Sequence, residues 1–124
     1  ASRFYRTAPV GGPPQAWYVN AVAEIGFDDE PEELLRVCRS IESRHGRTRT
    51  FRNAPRTLDI DILLFGDKVV DTNELTIPHP RFRERRFVLV PMVEIAPEVH
   101  DPVSGLSMRD LLSLCPDESA VELL

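Results

Sequence analysis

Asp59 and Asp61 stand two residues apart in the hydrophobic run Leu58-Asp59-Ile60-Asp61-Ile62-Leu63-Leu64-Phe65, directly behind a loop that carries Arg52 and Arg56. Read as a β-strand, the run sends alternate side chains to opposite faces, so Asp59 and Asp61 share one face while Leu58, Ile60 and Ile62 take the other. Their β-carbons are then about 7 Å apart. Like charges held that close on a rigid element repel unless a cation lies between them. Divalent metal ions bridging a polyphosphate meet that need, because Mg²⁺ is held by one or two carboxylates together with substrate phosphates and water. Arginines for the phosphates are at hand: Arg44, Arg47, Arg49, Arg52 and Arg56 follow one another with no Asp or Glu among them. Fourteen of the fifteen basic residues are Arg, Lys68 being the exception. Planar guanidinium forks suit bidentate phosphate contact, although genome composition produces the same bias.

The elements that must position these groups follow from periodicity and punctuation. Ser2 to Arg6 reads as the end of a strand, and Pro9 to Gln15, with three prolines and two glycines in seven residues, as a loop. Trp17 to Phe27 alternates as a strand, which puts Tyr18 and Asn20 on a shared face. A helix is predicted from about Pro31 to Arg44, with Pro31 at its first position, Asp29 and Glu30 at its positive end and Gly46 at its stop. Its apolar stripe is Leu34, Leu35, Val37, Cys38 and Ile41. The Asp59 strand ends in the turn Phe65-Gly66-Asp67, followed by an edge strand over Lys68 to Val70. Leu75 to Arg81 is a stiff, Pro-punctuated loop that holds His79. After the Arg-rich turn at 83–86, Phe87 to Met92 is a mostly buried segment ending at Pro97, and a short helix from Ser107 to Leu114 closes the pattern. Strands mixed with two or three helices predict an α+β domain with a mainly antiparallel sheet.

With 124 residues the chain is one domain's worth. No apolar run approaches a membrane span and the opening Ala1-Ser2-Arg3-Phe4-Tyr5-Arg6 has no signal-peptide character, so no membrane partner is expected. Cys38 and Cys115 read as reduced structural thiols of a cytoplasmic protein. The net charge of −5 argues against a nucleic-acid binder, so the local arginine cluster points to a small polyanion.

Four stretches in this order together resemble the 6-hydroxymethyl-7,8-dihydropterin pyrophosphokinases of folate biosynthesis. They are Tyr5-Arg6-Thr7 with Pro9-Val10-Gly11; Tyr18-Val19-Asn20-Ala21; Arg52 to Leu63; and Ile77-Pro78-His79-Pro80-Arg81 with Arg85, Phe87-Val88-Leu89 and Glu94-Ile95-Ala96-Pro97. The resemblance implies a ferredoxin-like α+β fold, a mainly antiparallel sheet with helices packed on it, and transfer of pyrophosphate from ATP to the pterin hydroxymethyl group with release of AMP. It implies that Asp59 and Asp61 bind two Mg²⁺ ions and, with Arg47 and Arg56, carry the catalysis. The matching ATP contacts are Glu42, Arg49, Arg52, Thr76, His79 and Arg85. Tyr18 and Phe87 would sandwich the pterin, Asn20 would meet its ring nitrogens, and Thr7 and Val10 would line the same pocket. A link to neighbouring folate-pathway enzymes is a further expectation.

The chain also departs from that pattern. An N-terminal strand and helix that opens with Gly-Ser-Asn is absent, so residues 1–124 are expected to be a single, N-terminally incomplete domain that begins inside a longer protein. Asn53 replaces a Trp, Arg39 a Gln and Glu74 an Arg. An inactive fragment that keeps the ligand pockets is therefore the alternative reading. A ferredoxin-like RNA-binding module is disfavoured, because a pair of stacking aromatics in a Gly-rich basic strand is missing. Taken singly, Asp59 and Asp61 read as a solvated face paired with Arg56, Tyr18 and Asn20 as an edge-strand surface, Phe87 as core and His79 as structural. Their joint order and spacing have no structural reason.

Overall fold

The computed structural model describes residues 1–7, 18–46 and 58–124. They form two compact units, one made of Ala1–Ile25 with Pro80–Leu124 and the other of Gly26–His79. The architecture of the described residues is α+β, with antiparallel sheets and three α-helices.

In the first unit, β1 (Tyr5–Thr7) is the middle strand of an antiparallel sheet between β2 (Tyr18–Asn20) and β5 (Val121–Leu123). The strand expected over Trp17 to Phe27 stops at Asn20, and Trp17 lies outside the described residues. A local substitution explains the stop: the Ser2 N–H donates to the Val22 carbonyl at 2.7 Å, but the Val22 N–H donates to Ser2 Oγ at 2.9 Å. A hydroxyl takes the place of a ladder carbonyl, and regular pairing ends there. β5 was not foreseen. It pairs Thr7 with Val121 and Tyr5 with Leu123, and the facing Arg6 and Glu122 form an ion pair at 2.7 Å.

The segment expected only to be buried is a helix, α2 (Arg86–Ile95), entered through a 3₁₀ turn at Phe82–Glu84. Pro91 inside it has no N–H to return to the Phe87 carbonyl, so local propensity opposes this helix. Packing compensates, since Val88, Leu89, Pro91 and Met92 are buried and α3 (Met108–Leu114) lies against α2. Phe82, Leu89 and Met108 are fully buried in this core. Ser107 caps α3 as its position suggests, with Oγ accepting the Asp110 N–H at 3.1 Å. Beneath the loop before α3, buried Asp101 accepts from Arg83 Nε at 2.5 Å and Nη2 at 2.9 Å, from Ser104 Oγ at 2.7 Å and from the Val103 N–H at 3.1 Å.

In the second unit, α1 (Pro31–Gly46) matches the predicted helix closely, with Glu32 and Glu33 in its first turn. Pro31, Leu34 and Cys38 are buried along one stripe, while Val37, expected on it, is exposed. The expected strand over 58–65 carries no ladder among the described residues, although side-chain burial still alternates from Leu58 to Ile62 with Asp59 and Asp61 outward. Its end is a true turn: Gly66 takes φ +55° and the Lys68 N–H closes on the Phe65 carbonyl at 3.0 Å. The hairpin beyond is β3 (Val70–Asp71) with β4 (Thr76–Ile77), two residues later than the expected edge strand at its start. The Phe65 ring meets Phe27 edge-on at 6.3 Å, and Lys68, over the Phe65 ring, also pairs with Glu30 at 3.0 Å. No helix among the described residues is long and apolar enough to cross a membrane.

Candidate functional site

The carboxylate segment of the second unit is held from behind. Glu42, late on α1, accepts the Ile60 N–H at 2.7 Å, which fixes the backbone between Asp59 and Asp61 and leaves both aspartates on the exposed side. Three residues further on, the Leu63 carbonyl accepts the His79 N–H at 2.9 Å, and His79 lies two residues beyond the end of β4, where Thr76 is exposed. Glu42, Asp59, Asp61, Thr76 and His79 thus belong to three pieces of chain joined by these bonds. Among the described residues no three His, Cys, Asp or Glu side chains gather as metal ligands. A pair of exposed carboxylates nevertheless suits a Mg²⁺ ion that shares its shell with phosphate and water, where an all-protein cage is not required. Arg47, Arg49, Arg52, Arg56 and Asn53 lie outside the described residues, as does Val10.

On the buried stripe of α1, burial of Cys38 and then the Glu42 carboxylate one turn on push its thiol up. Both cysteines are unpaired. A groove of about 500 Å³ separates α1 from the turn between β3 and β4, and it contains Arg39 and Glu74 but neither aspartate.

The first unit gathers the other predicted group. Tyr18 faces Thr7 and Asn20 faces Tyr5 across the β1–β2 ladder, so all four side chains share one side of the sheet, as alternation predicts. Asn20 Nδ2 donates to Thr7 Oγ1 at 2.9 Å, which orients the amide and leaves Oδ1 and the second N–H without a partner among the described residues. Tyr5, on that same side, donates its hydroxyl to Glu94 Oε1 of α2. Glu94 also accepts the Arg3 N–H at 2.9 Å. The Tyr5 hydroxyl is raised by the bond to Glu94 and by burial, while the Glu94 carboxyl is lowered by the bonds from Tyr5 and Arg3. This bond ties α2 to the Tyr5 side of the sheet, and Phe87 is half-buried in the first turn of that helix. The Arg85 guanidinium lies 5.6 Å from the Phe87 ring centroid.

Sequence reasoning missed the two bonds that hold the carboxylate segment, Glu42 to Ile60 and His79 to Leu63, because a backbone donor has no signature in residue type. The Thr7–Asn20 contact did carry a signal, since short polar residues on paired strands commonly meet.

Within the first unit, an amide and a tyrosine ring on one sheet face suit a small flat ligand, and within the second, an exposed acidic pair tied to one helix suits a metal-bearing anion. Residues 1–97 match the family described as 7,8-dihydro-6-hydroxymethylpterin-pyrophosphokinase, and the chain belongs to that family. Among its relatives is the 2-amino-4-hydroxy-6-hydroxymethyldihydropteridine pyrophosphokinase of Synechocystis sp., 42% identical over 111 residues, which cover 90% of this chain and 56% of the relative. The protein of the same name from Haemophilus influenzae is 40% identical over 122 residues, 98% of this chain and 76% of its own length. The folic acid synthesis protein fol1 of Schizosaccharomyces pombe is 36% identical over 117 residues, 94% of this chain but 16% of that longer protein. The chain therefore spans little more than half the length of the Synechocystis relative.

Proposed function

We propose that the protein transfers the pyrophosphoryl group of ATP to the hydroxymethyl oxygen of 6-hydroxymethyl-7,8-dihydropterin, a step of folate biosynthesis. The observation that carries this reading is the family match across residues 1–97, which spans both aspartates and the Thr7, Tyr18, Asn20 and Phe87 group. In the reaction the substrate oxygen bonds to the β-phosphorus, the bond from that phosphorus to the oxygen bridging to the α-phosphate breaks, and AMP leaves. Asp59 and Asp61 would hold two Mg²⁺ ions, which supply neutralisation of the triphosphate charge. Asp59 also takes part in activating the hydroxyl. Arg47 and Arg56 stabilise charge on the transferred group, and Glu42, Arg49, Arg52, Thr76, His79 and Arg85 bind the nucleotide. No covalent nucleophile is needed, since such transfers depend on positioning and charge stabilisation.

Tyr18 and Phe87 stack on the pterin, Asn20 reads its ring edge with the amide atoms that Thr7 leaves unused, and Thr7 and Val10 line the pocket. Arg39 and Glu74 tune the nucleotide contacts. We read residues 1–124 as one cytoplasmic domain of ferredoxin-like topology, since the family match runs through both units. A link to neighbouring folate enzymes is suggested by the length of the fol1 relative.

The test incubates the chain with MgATP and the dihydropterin and separates AMP from ADP. Pterin-dependent AMP is the expected product. ADP in its place, or AMP formed without pterin, would overturn the reaction. Retained binding of both ligands without turnover would instead mark an inactive fragment.

A further inference from the structure

Residues 117–123 serve no role in the reaction above, yet they connect two of its parts within the first unit. At one end, Asp117 Oδ2 accepts the Arg86 N–H at 3.1 Å. Arg86 opens α2, and Arg85 at the N-cap makes no side-chain capping bond. The first turn of a helix has N–H groups with no partner inside the helix, and here a carboxylate 31 positions away satisfies one of them and complements the positive helix end. Asp117 Oδ1 accepts the Ser119 N–H at 2.9 Å and Ser119 Oγ at 2.5 Å, closing a tight turn. The Ser119 carbonyl then accepts from Arg86 Nη1 at 3.2 Å. After Ala120 the chain enters β5, where Val121 faces Thr7, Glu122 pairs with Arg6, and the Leu124 N–H donates to the Phe4 carbonyl at 3.0 Å. One short segment thus grips both β1 and the start of α2, and it lies beyond the stretch matched by the family.

We propose that residues 117–123 form a positioning strap in which Asp117 and Arg86 fix the first turn of α2, and with it Phe87 and Arg85, against Thr7 of β1. The inference rests on the reading of Thr7 and Phe87 as pterin contacts. Asp117 and Arg86 touch no substrate; they act by setting where the Phe87 ring and the Arg85 fork stand before ligand arrives, which reduces the ordering cost of binding.

The experiment measures the affinity of the folded chain for 6-hydroxymethyl-7,8-dihydropterin, with a non-hydrolysable MgATP analogue present, together with amide exchange at Phe87, Val88 and Leu89. Asp117→Ala should weaken pterin binding about tenfold, the size expected for loss of a cap, and speed exchange in that turn. Asp117→Asn, whose one acceptor oxygen can serve the Arg86 N–H or the Ser119 donors but not both, should fall between the parent and the Ala variant. Arg86→Ala, which keeps the backbone cap, should cost about threefold. Unchanged pterin affinity in a folded Asp117→Ala protein overturns the strap, whatever its melting temperature. Should that variant fail to fold, Arg86→Ala decides, and parental affinity there overturns the strap as well. Phe87→Ala and Asn20→Ala are measured alongside. If neither they nor the strap variants change pterin affinity, the pocket reading fails and the strap loses its ligand role; normal losses in the two pocket variants with an unaffected Asp117→Ala condemn the strap alone.

Discussion

Two carboxylate settings, one in each unit, contrast sharply. In the first, Asp101 is fully buried and accepts four hydrogen bonds, two of them from Arg83. The Arg83 guanidinium holds its carboxyl well below the usual range against the opposing effect of burial. In the second, Asp59 and Asp61 are exposed on a segment without a ladder, pinned from behind by one side chain. A saturated, buried carboxylate is committed to the fold, whereas an exposed one on a pinned segment is reachable from solvent. The difference teaches that surroundings, rather than residue type, decide which acids of this chain are locked into the fold and which stand open to a ligand.

Replacing Asp61 is the strongest way to sharpen that contrast. Asp61→Ala should lower pyrophosphoryl transfer by at least about a thousandfold, as expected when a ligand of the charge-neutralising metal is lost. Its thermal melting should stay close to that of the parent. Near-normal turnover would remove Asp61 from the metal site, and a collapsed melt would class it with Asp101.

Asp101→Asn should show the reverse pattern. Breaking a buried pair while Arg83 stays charged costs about 3 kcal/mol of stability, read by denaturant unfolding. The pH sign follows from the depressed carboxyl: its contribution is complete above the ordinary value of 3.8 and fades as pH falls through the lower folded value. Acid should therefore destabilise the parent more steeply than the Asn variant below about pH 4. Parallel acid titrations of the two proteins would contradict the assignment.

How much of this was legible in the sequence depends on how local the cause was. α1 was readable because Pro31, the acids Asp29 and Glu30 just before it, and Gly46 all lie at the ends of the helix. α3 likewise falls within the short helix expected from Ser107 to Leu114. The alternation that puts Asp59 and Asp61 on one side was also visible, but not the missing ladder, since a strand is completed by partners elsewhere in the chain. α2 defied its own composition because Val88, Val90 and Pro91 disfavour a helix that tertiary packing imposes. β5 is three residues long and its partner lies more than a hundred positions away, so nothing near Val121 announces it. The tertiary bonds at Glu42 and Asp117 depend on backbone donors, which every residue has.

Within the first unit, Asn20→Ala should weaken dihydropterin binding by about 2 kcal/mol, the cost of leaving ring-edge groups unpaired, with little change in MgATP affinity. Equal losses for both ligands would mean that the amide supports the sheet through Thr7 and does not read the pterin edge.

The smallest effect tests what pins the carboxylate segment. Glu42→Gln keeps an oxygen that accepts the Ile60 N–H, while Glu42→Ala removes it. If the bond matters more than the charge, the Gln variant should bind MgATP within about twofold of the parent and the Ala variant about tenfold more weakly. The buried thiol of Cys38 supplies an internal check. Its pKa is raised first by burial and then by the Glu42 charge, so both substitutions should lower it slightly and quicken its reaction with a disulfide reagent at mildly alkaline pH. A faster thiol with unchanged nucleotide affinity in the Gln variant would show that the carboxylate charge was removed and that only the hydrogen bond holds Asp59 and Asp61 outward. A tenfold loss in the Gln variant would instead make Glu42 part of the charge chemistry and erase the distinction between pin and ligand.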